Sequence, residues 1–108
     1  MVMMQGDSYL VYIEMKINDD PITPDMVEDM EVSVGDRLRY TFAENQVGYD
    51  TARREWFFRP TQEETFGLEP DNYPVIVRVK FLSEPMRDIK GINVGRIIIV
   101  DSYSEVVL

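Results

Sequence analysis

Apolar residues recur at every second position along most of this chain, and nowhere is the spacing of a long amphipathic helix sustained. A period of two sends one face of each segment into a core and the other into water, so it dictates short, half-buried strands. Tyr9, Val11, Ile13, Met15 and Ile17 share one face, with Tyr12, Glu14 and Lys16 opposite, before Asn18-Asp19-Asp20-Pro21 supplies turn chemistry. The pattern returns in Met30, Val32 and Val34 and, after a turn at Gly35-Asp36, in Leu38, Tyr40 and Phe42. Residues 43–52 are polar, contain Gly48 and read as a long hairpin loop. Glu55 to Arg59 reads as a strand with Trp56 and Phe58 on one face. Val75, Val77, Val79 and Phe81 then alternate with Ile76, Arg78 and Lys80. Ser83 to Gly95 reads as a loop with room for a short pairing around Ile92. Arg96 to Val100 is a nearly continuous apolar strand, which Tyr103 to Leu108 can extend.

Two short segments depart from this rhythm. Thr23 followed by Pro24 is the signature of a helical turn, with Thr23 as N-cap and proline at the first helical position. Thr61-Gln62-Glu63-Glu64 fits a capping box, and Gly67 is placed to end that turn with a positive φ.

Six or seven strands, one or two helical turns and no alternation of strands with helices imply an all-β fold in one domain, residues 1–108. Turn signals every 8 to 15 residues or so favour a two-sheet antiparallel sandwich, with an oligonucleotide-binding barrel as the rival. A helical turn followed by Tyr73 and a strong strand resembles the crossing between strands E and F of immunoglobulin-like domains. Tyr73 is then a candidate corner tyrosine, with ordinary packing as the alternative. Trp56, the one tryptophan, is expected to anchor the core between the sheets.

The chain contains no histidine and no cysteine, which removes disulfides, thiolate nucleophiles, Ser-His-Asp machinery and the common zinc sites. No glycine-rich loop runs into Lys-Ser or Lys-Thr, and Gly91 and Gly95 fit turn geometry rather than a dinucleotide fingerprint. Asn18, Asp19, Asp20 and Asp25 are clustered oxygen ligands, but Pro21 and Pro24 interrupt them and no glycine sits where a calcium loop must turn. Glu63 and Glu64 resemble an acid–base pair, but the capping box accounts for them without catalysis. No catalytic residue, metal ligand or cofactor site is expected.

The net charge is −9, and it is unevenly placed. Residues 1–31 carry eight acids and one base, whereas residues 32–61 carry five bases and four acids. The two regions form either complementary faces for head-to-tail association or a solvated acidic edge beside a near-neutral middle. The acidity argues against a nucleic acid partner, although Trp56, Phe57 and Tyr40 with Arg53, Arg54 and Arg59 have the composition of a stacking groove. No segment reaches the roughly 18 apolar residues of a membrane span. Met1 to Gly6 lacks the basic cluster and apolar run of a secretory signal. The apolar ending Val106-Val107-Leu108 either completes a sheet edge or docks on a neighbour.

Three stretches resemble small proteins from the structural gene modules of phages and prophages of Gram-positive bacteria. They are Ile22 to Asp29 running into Glu31-Val32; Trp56 to Phe66, with Thr-Gln-Glu-Glu-Thr at its centre; and Pro74 to Phe81 together with Ser102 to Leu108. The resemblance covers much of the chain. It implies an immunoglobulin-like sandwich without enzymatic activity, made in the host bacterial cytoplasm and then carried in the virion as a tail or baseplate accessory. Its expected partner is protein, either a second copy or a larger virion protein. The alternative class is a binding module: a carbohydrate-contacting adhesin-like domain using exposed aromatics, or a single-stranded nucleic-acid-binding barrel.

Overall fold

The computed structural model describes residues 1–82 and 88–101. Strands take 54% of these residues and helix 8%, so the protein is all-β. Ten strand segments are present: β1 (Val2–Met4), β2 (Val11–Ile13), β3 (Lys16–Ile17), β4 (Asp20–Pro21), β5 (Val27–Val34), β6 (Leu38–Thr41), β7 (Gly48–Asp50), β8 (Glu55–Phe58), β9 (Asp71–Phe81) and β10 (Ile89–Val100). A 3-10 turn, Pro24–Met26, precedes β5, and one short helix, α1 (Gln62–Phe66), lies between β8 and β9. Five strands form a sheet in the order β1-β10-β9-β5-β6, and three form a second in the order β2-β8-β7. Strands β3 and β4 make a separate hairpin. All pairings are antiparallel except that of β1 with β10.

The centre of the large sheet follows directly from the alternation. On β9, Tyr73, Val75, Val77, Val79 and Phe81 are buried while Arg78 and Lys80 are exposed. On β5, Val27, Met30, Val32 and Val34 are all buried, although the first interval is three residues rather than two. A bulge between Val27 and Asp29 absorbs the extra residue and restores the inward phase. The small sheet contributes Val11, Ile13, Trp56 and Phe58, and the inward side chains of both sheets join one buried cluster. Trp56 has no exposed surface; the rings of Phe42 and Tyr49 meet it edge-on at 5.3 and 5.2 Å, and its indole N–H donates to the Ile22 carbonyl at 2.8 Å. Tyr40 and Phe58 meet across the interior at 5.0 Å.

Several expectations are corrected. Tyr9 to Ile17 is not one strand: Tyr9 is 51% exposed, β2 ends at Ile13, and the chain enters the β3–β4 hairpin. Asn18 and Asp19, with φ of 50° and 67°, form its two-residue turn, the backbone hand that matches strand twist. Thr23 stands at the N-cap position but makes no cap bond, because its hydroxyl is engaged by the Asp25 carboxylate. Gly67 does cap α1, in the right-handed region at φ −74° rather than with a positive φ, since Leu68 must continue the turn to bury its side chain. Residues 43–52 are not only loop: they contain β7, preceded by the buried Val47.

The expected loop 83–95 is corrected over 89–95, which belong to β10; residues 83–87 lie outside the described residues. Gly91, Asn93 and Gly95 erase the local alternation there, and register shifts fall at Ile89/Ile92 and Asn93/Gly95. Pairing with the regular strand β9 imposes the strand in spite of them. The segment before Gly6 also holds a strand, β1, too short to stand out in the sequence. The extension at Tyr103 to Leu108 lies outside the described residues.

Candidate interaction seam

Chemistry-bearing residues are placed first by the helix between the sheets. The Thr61 hydroxyl accepts from the Glu64 amide at 3.1 Å, and the Glu64 carboxylate accepts from the Thr61 amide at 2.8 Å, completing the capping box. Glu63 is exposed beside it. Burial, reinforced by the Glu64 carboxylate, pushes the Tyr40 phenol well above its ordinary pKa. Glu64 acts on that phenol electrostatically without reaching hydrogen-bond geometry, so the buried Tyr40 hydroxyl is unpartnered, as is that of Thr41. Further along, the Tyr73 hydroxyl donates to the Glu69 carbonyl at 2.7 Å, four residues upstream, which is the geometry of a tyrosine corner.

The acidic group at the hairpin is dispersed. Asn18 and Asp19 form the β3–β4 turn, while Asp25 engages Thr23. Among the described residues no cluster of three or more acidic side chains could hold a metal ion.

The aromatic and arginine residues are divided between the core and the outer face of the small sheet. Trp56 and Tyr40 are buried and offer no stacking surface. Phe57 points outward and meets Tyr12 at 6.0 Å, and the Arg53 guanidinium lies 3.7 Å over the Tyr12 ring while pairing with Glu55 at 3.4 Å. The Phe57 ring covers the strand opposite, where a Cβ on Gly48 would stand 2.5 Å from its tip, so a side chain there displaces the ring. Each outward ring is therefore engaged by a neighbour. Arg54 holds a turn with φ 57° and lines a cavity of about 160 Å3 with Arg53, Lys16, Glu14 and Asp19, three cations against two carboxylates.

The sheet edges offer a different surface. Among the described residues the two larger sheets end in four unpaired edges, β1 and β6 in the large sheet and β2 and β7 in the small one, besides those of the β3–β4 hairpin. Natural edges are commonly guarded by charge. Strand β6 carries Arg39 and β7 carries Asp50, whereas β1 (Val2, Met3, Met4) and β2 (Val11, Tyr12, Ile13) carry no charged side chain. The β1 edge is nevertheless covered at Met4, whose amide donates to the Asp7 carboxylate at 2.8 Å.

The uncharged edge of β2 and the start of β1 lie on the same side of the molecule, lining one cavity. The chain passes from β1 in one sheet to β2 in the other, and Gly6 in the connection has φ 88° with the Phe66 ring packed against it. Between the edges opens a cavity of about 150 Å3 lined by Val11, Tyr12, Val75, Val94 and Ile97 and, on its polar side, by Met1, Gly95 and the exposed Arg96. Arg96 forms no ion pair among the described residues. Next to the seam Val2 is 61% exposed and Met4 37%. Sequence reading passed over this seam; its signal was two strands free of charge in an otherwise strongly charged chain.

Among known proteins, no family model, no curated protein and no solved structure matches this chain.

Proposed function

We propose that this chain is a non-enzymatic interaction domain of phage or prophage origin, built on an immunoglobulin-like sandwich and serving a virion tail or baseplate through protein contacts. The strand order supports the fold assignment. With β2, β8 and β7 taken as strands B, E and D, the large sheet supplies C and its neighbour (β5, β6), F (β9) and G (β10), and Tyr73 stands at the start of F. The parallel partner of β10, β1, completes the large sheet on the other side.

The observation that carries the functional reading is the uncharged open edge of β2, with exposed Val2 and Met4 of β1 near it and a cavity of mixed lining between them. Edges of this kind favour strand addition or docking by another protein surface. The virion setting rests on the resemblance of residues 22–32, 56–66, 74–81 and 102–108 to phage structural proteins, and it places the chain in the host cytoplasm during synthesis. Light scattering across a concentration series tests the reading: the particle mass rises with concentration, whereas a constant monomer mass and no capture by tail or baseplate proteins would reject it.

The outward Tyr12–Phe57 pair with Arg53 favours a second reading, a carbohydrate-contacting module. A saturable glycan-array signal lost in Phe57→Ala would select it. Burial of Trp56 and Tyr40 weighs against the single-stranded nucleic-acid alternative by removing two of its stacking rings.

A further inference from the structure

We propose that the open edge of β2 is completed by an added strand, and that this strand is residues 102–108 of a second copy of the chain. The inference rests on the reading of the protein as an assembling domain and names the contact. An immunoglobulin-type sheet of this kind holds four strands in the order A-B-E-D. The sheet here holds three, β2-β8-β7, and the vacant position is the one beside β2. The cavity under that position, about 150 Å3, has Val11, Val75, Val94 and Ile97 in its lining and Met1 and Arg96 on its polar side, where the Met1 ammonium donates to the Arg96 carbonyl.

Residues 102–108 have the chemistry of the missing strand. In an extended strand Ser104, Val106 and Leu108 would share one face and Tyr103, Glu105 and Val107 the other, and the segment has no proline, glycine or lysine. With Val106 and Leu108 turned into the cavity, Glu105 faces outward on the side of Arg96, the exposed cation of the rim. Seven extended residues span up to about 23 Å, ample for the three-residue edge of β2.

Topology selects the second copy over the chain's own segment. Strand β10 ends beside Gln5, whose amide donates to the Val100 carbonyl, and β2 starts from that same end of the molecule and runs away from it. An antiparallel strand beside β2 must enter at the Ile13 end and finish at the Val11 end. The chain's own β10 ends at that finishing side, where β1 flanks it. A neighbour stacked end to end delivers its segment from the correct side. Such a contact is heterologous, so it repeats from copy to copy and builds a filament or closes a ring.

Two single charge reversals in the full-length chain, Arg96→Glu and Glu105→Arg, test this by sedimentation velocity. Both sites are on the surface side of the contact, and circular dichroism with urea unfolding checks that each variant keeps its fold. The wild type associates, each variant alone is weakened at least tenfold, and an equimolar mixture of the two associates again, because each then offers the charge that the other lacks. Val106→Asp with Leu108→Asp abolishes association in the same assay. Wild-type-like association of every variant would overturn the proposed contact and leave the assembly reading standing. A wild type that stays monomeric at every concentration would overturn the contact too; if it also captures no virion protein, the assembly reading fails with it. A monomer whose residues 102–108 resist carboxypeptidase would assign the seam to its own chain and overturn the second copy as occupant.

Discussion

The indole nitrogen of Trp56 donates to the main-chain carbonyl of Ile22 across a sequence separation of 34 residues, at 2.8 Å and fully buried. This bond ties the small sheet to the strand-free segment that leads into β5, and it satisfies the one polar atom of the largest core side chain. Trp56→Ala removes both the packing and the bond and is expected to cost about 3–5 kcal/mol in urea unfolding. A loss below about 1 kcal/mol would show that the core does not depend on this residue.

Tyr73 gives a narrower test of the corner between α1 and β9. Tyr73→Phe keeps the buried ring and deletes only the bond to the Glu69 carbonyl. The expected loss is about 1–1.5 kcal/mol with an unchanged circular dichroism spectrum. Thermal unfolding indistinguishable from wild type would mean that the corner is held by packing alone.

Tyr40 makes the stability depend on alkaline pH. Its folded pKa is raised above the ordinary tyrosine value, by burial first and then by Glu64, so the folded state keeps the phenolic proton that the unfolded state gives up. The associated stability is whole below about pH 10 and declines as pH rises through the unfolded pKa toward the folded one. Urea unfolding from pH 8 to pH 11 or so should therefore fall more steeply for wild type than for Tyr40→Phe. At neutral pH the substitution should be neutral or stabilising, because it deletes a buried hydroxyl without a partner. Parallel pH profiles would contradict the assignment.

The β3–β4 turn holds two consecutive non-glycine residues at positive φ, Asn18 and Asp19. Asp19→Gly is expected to stabilise the protein by roughly 0.5–1 kcal/mol, and Asp19→Val to destabilise it by more than about 1 kcal/mol, as a β-branched side chain resists that backbone. Thermal unfolding of the two variants checks the opposite signs.

Legibility of the fold tracked how much of each strand's signal was local. In β9 and the later part of β5 the alternation of valines against charged residues fixes both strand and inward face. The capping box of α1 is equally local, since Thr61 and Glu64 bond each other. Strands β1, β7 and the first half of β10 escaped because their order comes from partners distant in sequence: β1 from Ile98 to Val100, β7 from β8, and Ile89 to Gly95 from β9. Tyr9 was misassigned because periodicity alone does not reveal where a strand leaves one sheet for another. Among the site residues, Trp56 was readable as a core anchor from its type and surroundings, whereas for Tyr73 the sequence left a corner and ordinary packing open, because its bond to the Glu69 carbonyl depends on how the chain turns before β9. The seam between β1 and β2 was not, since a free edge is a property of sheet order and no single strand carries it.

Light scattering of the wild-type chain over a concentration series tests the central claim, that this protein works by associating through its open sheet edges. The account predicts an average mass that climbs from one chain to several as concentration rises. A single-chain mass at every concentration, together with no binding to tail or baseplate proteins, would contradict it.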